Sequence, residues 1–162
     1  MQYTIKENRH RSGYYFEPFL GKSVMYGQFT FHPNCLYDVT NMSHLNKLAG
    51  FCNMYHHYQS VRLAWRPGTD GYLIELWHYA YQGWRVKYRK LAEVVPDRTY
   101  DFELRIKFGH TLAKVKGGGE PKNKVIAGPT WEPVFGYTLF PYFGGHPTAP
   151  HAMSLDLDYE LS

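Results

Sequence analysis

The sequence predicts an all-β protein, an antiparallel two-sheet β-sandwich with at most one or two short helical turns. Three observations carry that expectation. Residues 100–108 alternate Tyr100, Phe102, Leu104, Ile106 and Phe108 with Asp101, Glu103, Arg105 and Lys107. Residues 153–161 repeat the pattern, setting Met153, Leu155, Leu157, Tyr159 and Leu161 against Ser154, Asp156, Asp158 and Glu160. Strands with one oily and one wetted face belong to antiparallel sheets and argue against a parallel α/β fold. Third, turn clusters such as Pro67 to Gly71 separate the apolar stretches, while helical signals are few.

The elements follow in order. Residues 25–32 alternate, with Phe29 and Phe31 on one face and Gln28, Thr30 and His32 on the other. Residues 43–49 allow a single helical turn capped by Ser43 and ended by Gly50. Residues 60–66 place Val61, Leu63 and Trp65 opposite Ser60, Arg62, Ala64 and Arg66. Strands over 72–81 and 84–91 flank a hairpin turn at Gln82-Gly83, which would face Tyr81 with Trp84, Tyr79 with Val86 and Trp77 with Tyr88. Residues 114–133 read as a long Gly- and Pro-rich excursion, with room for a short strand at Val125 and Ile126. A further strand over 136–142 has Pro141 confining its end to an edge or loop.

A chain of 162 residues is most simply one domain over 1–162, able to bury a core without metal or several disulfides. Its net charge of +4 and pI near 9.0 are too small an excess to indicate nucleic acid. Aromatic residues make up 18%, Tyr most of all, which suits sheet faces, interfaces and sugar-stacking surfaces alike. Cys35 and Cys52 allow one bridge, although two buried thiols fit better, and no C-x-x-C pair marks zinc or redox chemistry. The N-terminus lacks the apolar core of a signal peptide, so synthesis in the cytoplasm and no membrane insertion are expected. Asn41, Met42 and Ser43 form a glycosylation acceptor that matters only in a secretory pathway.

Several constellations offer chemistry. The 72–91 hairpin has an aromatic wall of Trp77, Tyr79, Tyr81 and Trp84, and a second face carrying His78, Arg85, Lys87 and Arg89. The plain reading buries the aromatic wall as core; the sharper one leaves Trp77, Tyr79 or Trp84 exposed for sugar rings. Residues 55–62 gather Tyr55, His56, His57, Tyr58 and Arg62. Adjacent histidines on a strand would point to opposite faces and would not share a metal. One of them with Arg62 and Tyr58 could hold a carboxylate or an acidic sugar, since Arg offers a bidentate fork. His146 and His151 flank Pro147 to Pro150 but lack a third ligand, so loop caps are expected and no metal or other cofactor. Asp156, Asp158 and Glu160 fit a solvated strand face better than a carboxylate pair. The basic, aromatic stretch 85–116 is diluted by Glu93, Asp97, Asp101 and Glu103, which argues against nucleic acid as a partner. Residues 116–122 lack the spacing of a phosphate loop.

Residues 137–153, from Tyr137 through Phe140, Gly144, His146 and Pro150 to Met153, lead into the alternating strand that ends the chain. This segment resembles the C-terminal end of concanavalin A-like jelly rolls of uncharacterised bacterial and tailed-phage type. Asn46 to Gly50, His56-His57 and Ser60 to Arg66 resemble the middle of such proteins. The resemblance spans about half the chain. It implies a two-sheet jelly roll whose relatives include glycan-binding modules, polysaccharide lyases and virion decoration or fibre components. The lyase strand motifs Q-x-H and Y-x-K-x-G-x-Y that it would lead one to expect are missing, and no catalytic residue carries over.

The function expected from the sequence is therefore a non-enzymatic structural or adhesive component of a larger, oligomeric assembly of protein chains, such as a phage virion, with glycan recognition. Contacts are expected at Tyr55, His57, Tyr58, Arg62, Trp77, Tyr79, Trp84, Trp131, Tyr142, Phe143 and His146. The alternative is a small polysaccharide lyase acting on acidic polysaccharide, using Tyr55, His56 or His57 with Arg62.

Overall fold

A computed structural model describes residues 1–13, 17–40, 44–117 and 119–162. Two six-stranded antiparallel sheets stack face to face. The first runs, in spatial order, β1 (Gln2–Ile5), β12 (Met153–Leu161), β3 (Val24–Phe31), β8 (Thr99–Lys107), β9 (His110–Lys116) and β10 (Lys122–Ala127). The second runs β2 (Pro18–Leu20), β11 (Phe135–Leu139), β4 (Asn46–Asn53), β5 (Gln59–Pro67), β6 (Ile74–Gln82) and β7 (Arg85–Val94). A short 3-10 turn at Pro33–Cys35 is the helical element among the described residues.

Period-two patterning builds the core as expected. Phe29 and Phe31 of β3, Tyr100, Phe102, Leu104 and Ile106 of β8, and Met153, Leu155 and Leu157 of β12 are all buried. They meet Phe51 of β4, Val61, Leu63 and Trp65 of β5, and Ile74 and Leu76 of β6. Trp65 stands 4.9 Å from Phe31, ring to ring, across the two sheets. Cys35 and Cys52 are free, buried thiols. His151 Nε2 meets the carbonyl of Asn34 at 2.8 Å, a loop-capping contact.

Five local expectations need correction. First, Asn46 to Ala49 are not helical but open β4, whose pairing to β5 shifts between Lys47 and Ala49. The bulge turns both Leu48 and Ala49 inward. Ser43 and the glycosylation acceptor lie outside the described residues. Second, Phe108 is 76% exposed, because β8 stops at Lys107 and Phe108-Gly109 turn the chain into β9.

Third, the β6–β7 turn is Gly83-Trp84, one residue later than expected; both residues have positive φ, 60° and 68°. Glycine adopts that conformation freely and tryptophan does not, so the twist of the flanking strands imposes it. Tyr81 consequently pairs with Val86 and Tyr79 with Tyr88, while a bulge after Leu76 sets Trp77 against Lys90. Fourth, the core face of β6 is the reverse of the plain reading. Ile74, Leu76, His78, Ala80 and Gln82 are buried, and Trp77, Tyr79 and Tyr81 face outward. The other sheet partners one polar atom of each buried side chain: Thr111 Oγ1 lies 3.0 Å from His78 Nε2, and Gln82 Nε2 donates to the Ile126 carbonyl at 2.8 Å. Fifth, Phe143 is not on the surface; it is 1% exposed and packs on Tyr37 in the core. Within 114–133, β10 forms a full edge strand against β9.

Candidate functional site

The outward face of the second sheet is hollowed into a cleft of about 600 Å³. Arg62 lies at its centre. It pairs across the ladder with Gly50 of β4 and Tyr79 of β6. A Cβ on Gly50 would stand 2.8 Å from Arg62 Cγ and 2.4 Å from the Val61 carbonyl, so the glycine leaves the room that the arginine stem fills. Lys47 enters from β4. Its backbone exchanges two hydrogen bonds with Tyr142, at 2.8 and 2.9 Å, which ties the C-terminal loop to the cleft rim. Lys47 Nζ sits 4.7 Å from the centre of the Tyr79 ring.

The wall nearest the β4–β5 turn is built from His56, His57, Tyr81 and Tyr137. Residues 55–58 form a tight turn, closed by the Tyr58 amide donating to the Tyr55 carbonyl at 2.9 Å. The two histidines are therefore not on a strand, and their rings lie 4.2 Å apart on the same side. The opposite-face expectation fails for that reason. His57 meets Tyr81 edge-on at 5.0 Å, and His56 Nδ1 lies 2.6 Å from the Tyr137 hydroxyl. Arg11, Tyr142 and Phe140 close the far side.

Among the described residues no Asp or Glu lines the cleft, although Arg11, Lys47 and Arg62 all do. Arg62 Nε and Nη2 are shielded from solvent and have no hydrogen-bond partner among the described residues, while the residue as a whole is only partly covered. Burial pulls its guanidinium below the ordinary value, partly opposed by Tyr79 and Cys52, yet arginine stays charged at neutral pH. Burial, with repulsion from Arg62, lowers the Lys47 ammonium to about 8. His56 falls to about 4, from burial first and then from Arg62 and His57, so it is neutral near pH 7. The Tyr137 hydroxyl rises to about 12, mainly through burial. A neutral hydroxyl and a neutral imidazole thus share one hydrogen bond, its direction set by the His56 tautomer. This is a positive, ring-walled cleft with no carboxylate among its described lining residues, suited to an anion carried on a flat or ring-shaped scaffold.

No protein-family model matches this sequence, and no curated protein does either. Solved structures do. An alginate lyase from Klebsiella pneumoniae superposes with a TM-score of 0.58 at 6% identity, covering 87% of this chain and 60% of the lyase. The chain thus spans less than two thirds of that enzyme's length. The CBM2 module of the evolved Dit of Lactobacillus casei BL23 phage J-1 gives 0.51 at 12% identity, over 98% of this chain and 74% of the module. The enzymatically active domain of bacteriophage CBA120 tailspike protein 2 gives 0.51 at 9% identity, over 91% and 23%. The likeness is one of fold.

The structure brings Arg62, His57, Tyr79 and Tyr142 from the expected set into the cleft, joined by His56. Trp77 lies farther along the same sheet face, stacked by Arg66 at 5.2 Å and flanked by Tyr88. Tyr58, Trp84 and Trp131 form a separate aromatic cluster at the end of the sheet, with Tyr58 and Trp131 parallel at 6.3 Å. Gln59 holds Trp131 by its backbone, donating to the carbonyl and accepting from the amide. Tyr55 and His146 are exposed and outside the cleft lining. Lys47, Arg11 and Tyr137 were not expected from sequence. The sequence reads Gly50 as the end of a helical turn, whereas it sits inside β4, where a glycine marks a close approach.

Proposed function

We propose that this protein recognises acidic saccharides, seating a carboxylate on Arg62 and Lys47 and sugar rings against Tyr79, Tyr81 and Tyr142. The observation that carries this reading is Arg62: a half-buried guanidinium whose shielded Nε and Nη2 have no hydrogen-bond partner among the described residues, in a cleft with no carboxylate among its described lining residues. Such a charge is costly to hold without a counter-ion, and an incoming carboxylate supplies one. In this reading the sandwich is an adhesive component of a larger protein assembly, such as a phage particle. The phage Dit module and the tailspike domain, which share the fold, lend support. Calorimetric titration with an oligouronate and with its carboxyl-reduced counterpart tests it. The acid form should bind at least about ten-fold more tightly. Equal binding of the two would remove the role given to Arg62.

A second reading, a lyase acting on acidic polysaccharide, has its own supporting observation. His56 Nδ1 and the Tyr137 hydroxyl are 2.6 Å apart in the same cleft as Arg62. β-Elimination of a uronate needs a cation against the carboxylate, a base for the proton beside it, and an acid for the departing oxygen. Arg62 would serve as the cation, while Tyr137 and neutral His56 would form a proton-handling pair. Incubation with polyuronate should then release unsaturated, ultraviolet-absorbing ends, lost in His56→Ala and Tyr137→Phe. Tight binding with no such product leaves the adhesive reading alone.

A further inference from the structure

Arg11 lines a second cavity as well as the cleft. This groove, of about 450 Å³, runs along the N-terminal segment and is bordered by Lys6, Arg9, His10 and Arg11. It too has no carboxylate among its described lining residues. Among the described residues neither Lys6 nor Arg9 forms an ion pair. The segment is tied down rather than trailing. The Asn8 amide donates to the Ala149 carbonyl at 2.9 Å, the Ala149 amide to Arg9 at 3.0 Å, and the Phe143 amide to His10 at 2.7 Å. Ser12 Oγ donates to the Pro141 carbonyl at 3.1 Å. His10 also stacks on Tyr142, rings 5.5 Å apart and nearly parallel, so one aromatic pair forms the shared wall of cleft and groove.

We infer that the groove is a second subsite for the same ligand, and that the ligand is a polyanionic polysaccharide several units long rather than a single sugar acid. A chain with one carboxylate on Arg62 and Lys47 would pass Arg11 and the His10–Tyr142 wall. It would then lay a further carboxylate beside Arg9 and Lys6. Cations fixed on a hydrogen-bonded backbone lose less freedom on binding than cations on a loose tail, which favours a built track over general stickiness. This inference rests on the acidic-saccharide reading of the cleft and adds the length and path of the ligand.

A ladder of oligouronates from dimer to hexamer, titrated calorimetrically at moderate salt, tests it. With the native protein, affinity should rise by about ten-fold or more between dimer and hexamer. In Lys6→Ser/Arg9→Ser the rise should vanish while dimer affinity stays unchanged, since both side chains are exposed and outside the cleft. Arg62→Met should weaken every length together. Native affinity that is flat with length, or a rise that survives in the double variant, overturns the second subsite and leaves the cleft reading intact. If no oligouronate binds at any length, both fall.

Discussion

Arg62→Met should make the protein more stable and unable to bind acidic saccharide. The guanidinium carries two shielded nitrogens with no partner among the described residues, so the unliganded fold bears a partly desolvated charge. Methionine keeps the apolar stem over Gly50 and removes that charge. A gain of about 1–3 kcal/mol is expected, which for a chain of this size is a rise of about 2–10 °C in Tm. Binding should weaken by about 100-fold or more, because the ligand carboxylate would be left buried without its partner. Thermal melts and titration of the same preparation check both halves. A destabilised Arg62→Met would mean that the arginine serves the fold, and the trade of stability for recognition would be refuted.

Lys47 gives the cleft a pH dependence of defined sign. Its ammonium is lowered to about 8 in the free protein, by burial first and by Arg62 second. A bound carboxylate favours the charged form and raises that value, so around pH 8–9 the complex holds more protons than the free protein. Affinity must therefore fall as pH rises through about 8, by up to about ten-fold, and be flat over the same range in Lys47→Met. The unliganded fold behaves in the opposite sense. Lys47 is more readily deprotonated when folded than when unfolded, so its burial cost is full below pH 8. That cost fades as pH rises toward the ordinary lysine value. Binding that strengthens above pH 8 would contradict the role of Lys47. His56, lowered to about 4, contributes no charge across this range.

The sandwich was legible because β8 and β12 each have one face against oil and one against water, and period two then has a single solution. β6 was not, because both its faces are mixed. Trp77, Tyr79 and Tyr81 are amphipathic and can serve either side, whereas His78 and Gln82 look solvent-facing until Thr111 and Ile126 arrive from the other sheet. Leu45, Leu48 and Ala49 mimic a helical spacing because a β-bulge, not a helix, turns two successive residues inward. The same limit applied to the site. The 55–62 stretch offered His57 and Arg62 as candidates through its own residues, but Lys47, Tyr137 and Arg11 reach the cleft only through pairing of β4 with β5 and β11, and through the bridges of Tyr142 to Arg11 and Lys47. Sequence-distant pairing carries no local signature.

The most direct measurement is a crystal structure of the protein soaked with a tetrauronate. One carboxylate should be found within hydrogen-bond distance of the Arg62 guanidinium, about 3 Å, with sugar rings packed on Tyr79 or Tyr142. Sugar bound instead at the Tyr58, Trp84 and Trp131 cluster, with Arg62 still unpartnered, would contradict the account.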